Sequence, residues 1–191
     1  MKNKLNIVVF ASGGGGNFKY LAKHQGNQEF KILSLVVDRD CNAENIADQF
    51  SIKVIKLRKR NKKIDFMTLL KHHEVVKSDL IVLAGFMPII PASFLRSYAR
   101  PILNTHPSLL PAHGGKGMYG VRVQESVIKS GDLIAGCTCH IIDEGIDTGE
   151  IICQRRIPVD FNISPWELGK KVFFLEGPNI IDAINIVRRR G

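Results

Sequence analysis

Apolar residues in this chain fall in short, almost unbroken runs separated by stretches of a different period. The segments LNIVVFA (5–11), ILSLVVD (32–38), IKVIKL (52–57), DLIVLAG (79–85) and PILNTH (101–106) are rich in aliphatic and β-branched side chains. Strands covered on both faces, as in a parallel sheet, look like this because neither face is left to be polar. Between them, 42–50 and 64–77 repeat apolar positions at helical spacing, the second from Ile64 through Leu69 to Val76. This alternation predicts an α/β fold: a Rossmann-like, open, mostly parallel twisted sheet flanked by helices.

After residue 131 the pattern changes. LIAGCTCHII (133–142) and EIICQRRIPV (150–159) read as two strands joined by a polar turn, an antiparallel C-terminal extension of the sheet. Ser164-Pro165-Trp166-Glu167 then starts a last helix, with Ser as cap, Pro at the first helical position and Glu completing a capping box. Gly177-Pro178 predicts a kink or interruption in that helix, because Pro178 has no N–H to give the Phe174 carbonyl. No repeat, low-complexity stretch or linker divides the 191 residues, which are read as one domain.

Charge narrows the ligands. Lys and Arg number 27 against 18 Asp and Glu, a net charge of +9. The surplus favours anions (phosphorylated metabolites, polyglutamylated cofactors or nucleic acid) without choosing among them. KLRKRNKK (56–63) lacks the interleaved aromatics that stack bases and reads as a solvated loop, so no nucleic-acid partner is expected. No stretch is long enough to span a bilayer, and the apolar run 5–11 is short for a signal peptide and leads into glycines and Asn17. Cys137 and Cys139 share one face of a strand and, with Cys41 and Cys153, lack zinc-site spacing. They read as reduced thiols of a cytoplasmic protein, and no metal site is expected.

Two stretches carry chemistry. ASGGGGN (11–17) follows the first strand and precedes a helix, where backbone N–H groups converge on a phosphate. A dinucleotide fingerprint would need a third glycine at 18 or 19, which are Phe18 and Lys19, although Asp38 or Asp40 could serve as its ribose-binding acid. The phosphate of a single small substrate fits better, and a tight turn packed against its surroundings is the alternative. In NTHPSLLP (104–111), Asn104 and His106 lie two apart at a strand end and project from one face, with Pro107 holding His106 extended. Ligands collect at such carboxyl ends in open α/β sheets. Downstream, Asp143, Glu144 and Asp147 are turn residues or, if one approaches a histidine, its orienting acid. His113 is a further candidate but reads more readily as a surface residue, and Ser108 as part of the turn rather than a nucleophile.

These motifs (SGGGGN after the first strand, VLAGFM at 82–87, NTHPSLLP, and DEGIDTGEII at 143–152) occur in the same order in the 10-formyltetrahydrofolate-dependent formyltransferases, which the whole chain resembles. GGKGMYG (114–120) resembles one bacterial branch of that family, and the branch using glycinamide ribonucleotide in purine biosynthesis is the nearest. The resemblance implies a catalytic trio of Asn104, His106 and Asp147. It implies that Gly13, Gly14, Gly15, Gly16 and Asn17 hold the ribonucleotide phosphate and that Glu176 meets the glycinamide end. Met87, Pro88, Ile89, Ile90 and Ile142, Asp143, Glu144, Gly145 then cradle the folate. Residues 1–100 become a ribonucleotide-binding half and 101–191 a catalytic and folate-binding half of a monomer or homodimer acting on small molecules. Pro88 stands where relatives often have Arg, Phe173 where some are polar, and Gly177-Pro178 beside Glu176. Methionyl-tRNA and sugar-nucleotide formyltransferases and formyltetrahydrofolate deformylase share the core motif. The first and last carry additional domains that this sequence is expected to lack.

Overall fold

The computed structural model describes residues 4–57, 59–60 and 63–190. Its sheet contains β1 (Leu5–Ala11), β2 (Phe30–Val37), β3 (Lys53–Lys56), β6 (Leu80–Leu83), β7 (Ile102–His106), β8 (Ile134–Ile141) and β9 (Ile151–Pro158) in the order β3-β2-β1-β6-β7-β8-β9. β1 runs parallel to β2 and β6, and β2 to β3, whereas β8 and β9 are antiparallel. The expected fold class is borne out. The chain divides into two compact units, one ending at Leu103 and one beginning at Asn104.

In the first unit, β1, β2 and β6 are almost wholly buried, as their continuous apolar runs require. α1 (Gly16–His24) and α2 (Asn42–Gln49) each bury one stripe, Phe18, Leu21 and Ala22 on the first and Ala43, Ile46 and Ala47 on the second. The expected helix over 64–77 is instead a 3-10 segment, Phe66–Lys71, followed by the short α3, His73–Lys77. His72 is extended (φ −88°, ψ 123°) and ends the first piece. Phe66 and Leu69 are buried three apart, the spacing a 3-10 turn aligns, while Met67 and Val76 stay exposed. The basic run is no open loop either: β4 (Lys59–Arg60) pairs antiparallel with β5 (Lys63–Ile64), while Arg58, Asn61 and Lys62 lie outside the described residues. α4 (Ala92–Tyr98) completes the unit and buries Phe94 and Tyr98.

In the second unit, α5 (Val121–Ser130), α6 (Pro165–Arg190), β8 and β9 enclose a core of Val127, Ala135, Cys137, Leu168 and Val172. Ser164 caps α6 as expected: its Oγ accepts from the Glu167 N–H at 3.3 Å, and its own N–H donates to Glu167 Oε2 at 2.8 Å. The interruption expected at Gly177-Pro178 does not occur, and α6 runs on through Pro178. The carbonyl deprived of a partner is that of Phe174, a residue 76% exposed. Beyond it, buried Ile180, Ala183 and Ile184 keep the last turns packed.

Candidate active site

The second unit fixes the NTHPSLLP stretch through its backbone. The Leu110 N–H donates to Thr138 Oγ1 at 3.0 Å, and that hydroxyl donates to the Ser108 carbonyl at 2.7 Å. Gln154 Nε2 donates to the Leu110 carbonyl at 2.9 Å, and Gln124 Nε2 to that of Pro107 at 2.7 Å. Ser108 Oγ is spent on the Ala112 carbonyl at 2.6 Å, which removes it as a nucleophile. The Leu110-Pro111 peptide is cis. Asn104 and His106 therefore stand on a backbone gripped from β8, β9 and α5.

Four side chains meet around them. His106 Nε2 donates to the His113 carbonyl at 2.9 Å. A carbonyl can only accept, so the His106 proton is on Nε2 and Nδ1 is left facing Asp147, whose Oδ2 is 3.5 Å away. Asn104 Nδ2 donates at 3.0 Å to His140 Nε2, leaving one amide N–H uncommitted to that histidine. His140 is 1% exposed, and burial holds its pKa below the ordinary 6.5 despite the pull of Asp147, whose Oδ1 lies 3.6 Å from Nε2. It is thus neutral at pH 7 and can accept from Asn104. Asp147 has φ 58°, a left-handed conformation that Asp tolerates better than most residues. Its Oδ2 accepts from the Gly115 N–H at 2.9 Å, and a Cβ at Gly114 would run into Leu110 Cδ2. A cavity of about 380 Å³ opens at Asp147, walled by Leu110, Pro111, Gly114, Gly115, Ile146 and Ile151.

The expected trio of Asn104, His106 and Asp147 is therefore brought together, with His140 as a member the sequence reading did not single out. Its signal was a histidine inside a buried apolar strand, two residues from Thr138 on the same face. Between Cys139 and His140 the register against β9 shifts, from Cys139↔Cys153 to His140↔Ile151, a bulge of the kind that re-aims side chains near sites. His113 is not a surface residue: its imidazole is 12% exposed and meets Ser126 Oγ at 2.8 Å and Asp132 Oδ2 at 2.6 Å. Asp143 serves its own turn, its Oδ1 accepting from the Gly145 N–H at 2.9 Å and from Thr148 Oγ1 at 2.6 Å, which holds its carboxyl below the usual range. Ile142 is half-buried, Glu144 and Gly145 are exposed, and Glu176 is buried on α6.

In the first unit, Gly13, Gly14 and Gly16 are exposed and Asn17 is buried at the start of α1. The first ladder bond of that helix joins the Lys19 N–H to the Gly15 carbonyl at 2.8 Å. The N–H groups of Gly16, Asn17 and Phe18 thus precede the helical ladder, the geometry that suits an anion. Gly15 has another task. Its φ is 72°, and a Cβ there would lie 2.8 Å from Ala43 Cα, so it packs α1 against α2. The Met87 N–H donates to Ser12 Oγ at 2.9 Å. Met87 and Ile89 expose apolar surface, Pro88 is half-buried, and Ile90 is core.

Residues 5–184 match the formyl transferase family. A chloroplastic phosphoribosylglycinamide formyltransferase of Vigna unguiculata is 38% identical over 87% of the chain, and the chain spans only 55% of that protein's length. The phosphoribosylglycinamide formyltransferase of Bacillus subtilis is 31% identical, with 97% of each chain covered. Among solved structures, the phosphoribosylglycinamide formyltransferase of Anaplasma phagocytophilum superposes with a TM-score of 0.85 at 30% identity, over 98% of this chain and 89% of that one.

Proposed function

The chain belongs to the formyl transferase family, and on that premise we propose that it moves the formyl group of 10-formyltetrahydrofolate to the amine of glycinamide ribonucleotide, a step of purine biosynthesis. The observation that carries this reading is the meeting of Asn104, His106 and Asp147 in one constellation held by His140 and His113. When bound, the folate supplies an electrophilic formyl carbon. The acceptor amine attacks that carbon, a C–N bond forms, and the bond from the carbon to folate N10 breaks.

The residues of the chain manage charge and protons. As the amine attacks, negative charge grows on the formyl oxygen. The free Asn104 amide N–H answers it, and so does His106 once Nδ1 is protonated; each such donor is worth about 3 kcal/mol of barrier. Asp147, 3.5 Å from Nδ1, takes the proton the amine loses, directly or through water. The proton Asp147 takes is then passed on, directly or through water, to N10 as it departs, so the site ends with as many protons as it began. Attack by an external amine needs no enzyme nucleophile, in keeping with Ser108 being tied to Ala112.

The remaining assignments are part of the same proposal. The loop Gly13, Gly14, Gly15, Gly16 and Asn17 takes the ribonucleotide phosphate, supported by N–H groups that precede the α1 ladder, and Glu176 takes the glycinamide end. Exposed apolar Met87 and Ile89, with Pro88 and Ile90, offer surface to the pterin, and the turn Ile142 to Gly145 offers backbone groups. Among the described residues no helix is long and apolar enough to cross a membrane, and all four cysteines are free, as a reducing cytoplasm favours. Purified protein is incubated with 10-formyltetrahydrofolate with and without glycinamide ribonucleotide, and folate release is followed. Acceptor-dependent release is expected. Equal release without acceptor would make the protein a deformylase and overturn the reading.

A further inference from the structure

His113, expected at the surface, is instead tethered through its side chain. Its backbone has φ 54°, in the left-handed region. Its carbonyl is the acceptor that keeps the His106 proton on Nε2. Both nitrogens of its imidazole are engaged, Nδ1 with Ser126 Oγ at 2.8 Å and Nε2 with Asp132 Oδ2 at 2.6 Å. Ser126 lies within α5, and Asp132 follows Gly131, the left-handed cap of the same helix.

We propose that His113 is a positioning residue for His106: its imidazole, clamped by Ser126 and Asp132 at the end of α5, holds its own carbonyl against His106 Nε2. A ring tied at both nitrogens to one rigid element cannot rotate about its long axis without breaking a bond. The backbone it belongs to is fixed accordingly. The same helix also reaches the other side of the reactive histidine, because Gln124 Nε2 donates to the Pro107 carbonyl at 2.7 Å. α5 thus holds both the residue after His106 and the residue that accepts its proton. Val123 and Val127 bury the helix, so the frame is firm.

The trio Ser126, His113 and Asp132 has the composition of a hydrolase triad, but it is arranged for holding. Ser126 lies in the middle of a helix, whereas a nucleophilic serine of that kind sits on a strand-to-helix turn beside the N–H groups of an oxyanion hole. The carboxylate pairs with Nε2 and the hydroxyl with Nδ1, the reverse of the triad order. What the arrangement delivers is a carbonyl whose place is set. In turn, that carbonyl sets which nitrogen of His106 is left for Asp147 and the formyl oxygen.

This inference rests on His106 acting in formyl transfer, and its test has a readout that does not. Asp132→Ala in the full chain removes one end of the clamp and leaves the His113 backbone untouched. We expect kcat to fall between about 10- and 100-fold, the scale of a small misplacement at a reacting group. Both KM values should stay within about twofold, because ground-state binding is not altered. In two-bond proton–nitrogen spectra of 15N-labelled protein, the Nε2–H pattern of His106 should give way to averaged tautomers. Asp132→Asn keeps an acceptor opposite Nε2 and should recover most of the rate and the pattern. An Ala variant with unchanged kcat and tautomer overturns the proposal. So does an Asn variant as slow as Ala, which would assign the effect to the charge of Asp132. If Asp132→Ala melts below the assay temperature, Ser126→Ala carries the same comparison, and an unchanged His106 pattern overturns the clamp. Wild-type protein without formyl transfer, but with the Nε2–H pattern lost on Asp132→Ala, would overturn the activity while supporting the clamp.

Discussion

The four consecutive glycines offer a test that separates packing from ligand binding within a single loop. Gly15→Ala places a methyl group 2.8 Å from Ala43 Cα and 2.9 Å from Ala43 Cβ, and asks alanine to hold φ 72°. The left-handed conformation costs a residue with a Cβ about 1–2 kcal/mol. Overpacking against a neighbour that includes backbone costs about 1–3 kcal/mol. A sum of roughly 3 kcal/mol is expected and, at about 2–4 °C per kcal/mol for a chain of this size, a melting temperature lowered by about 6–12 °C. Gly13 and Gly14 have nothing within 4 Å of an added Cβ and do not lie in the left-handed region. Alanine at either should leave stability within about 0.5 kcal/mol of wild type. If their N–H groups serve the phosphate, Gly14→Ala raises KM for the ribonucleotide instead. Thermal melts followed by circular dichroism, with KM for each substrate, provide both readings. A Gly15→Ala protein melting within about 2 °C of wild type, or a Gly14→Ala protein as destabilised as Gly15→Ala, would refute the reasoning.

Three further outcomes are expected at the reactive constellation. His106→Ala should lower turnover by at least about 10²-fold while equilibrium titration still shows the folate binding; retained turnover contradicts its role. Asp147→Asn keeps a side chain that tolerates φ 58° and an oxygen for the Gly115 N–H, so the melting temperature should hold while kcat falls about 10²- to 10⁴-fold. A matching loss of stability would show that the charge serves the fold instead. Burial holds the pKa of folded His140 below 6.5, so the unfolded chain takes up this proton first as pH falls. Its contribution to stability is complete above about pH 6.5 and shrinks on acidification through the window below that value. The urea midpoint should drop more between about pH 7 and pH 5.5 in wild type than in His140→Gln. Equal drops would mean that His140 is not held neutral.

Strands were legible because sheet burial on both faces leaves a mark that single residues carry: Val8, Val36 and Val82 must all be apolar whichever way they point. The segment 64–77 misled because its apolar residues also fit a 3-10 turn followed by a short helix, a division that spacing alone does not mark. Leu69 is buried as expected, but Val76 is exposed, Phe66 and Val75 take the buried places, and His72 divides the segment. Pro178 misled in the opposite sense: the helix runs on past its missing N–H, with Ile180, Ala183 and Ile184 buried beyond it. In the constellation, Asn104, His106 and Asp147 could be named from the motifs, whereas His140 could not. A lone histidine in a buried strand is usually a packed residue, and only its contacts distinguish it. Gly15 could not be told apart from its neighbours, because its task is set by Ala43, 28 positions away.

β8 presents two faces with different duties. Cys137 lies in the core with Leu168 and Val172, whereas Thr138 fastens the reactive loop and His140, two further on, meets Asn104. Because side chains alternate, slipping this strand by one residue would exchange the two faces completely. Core and chemistry therefore share one register, and neither can form while the other is misaligned. Turnover in this protein then doubles as a gauge of assembly: during refolding, activity should return together with burial of Cys137, with no dim, half-working species along the way.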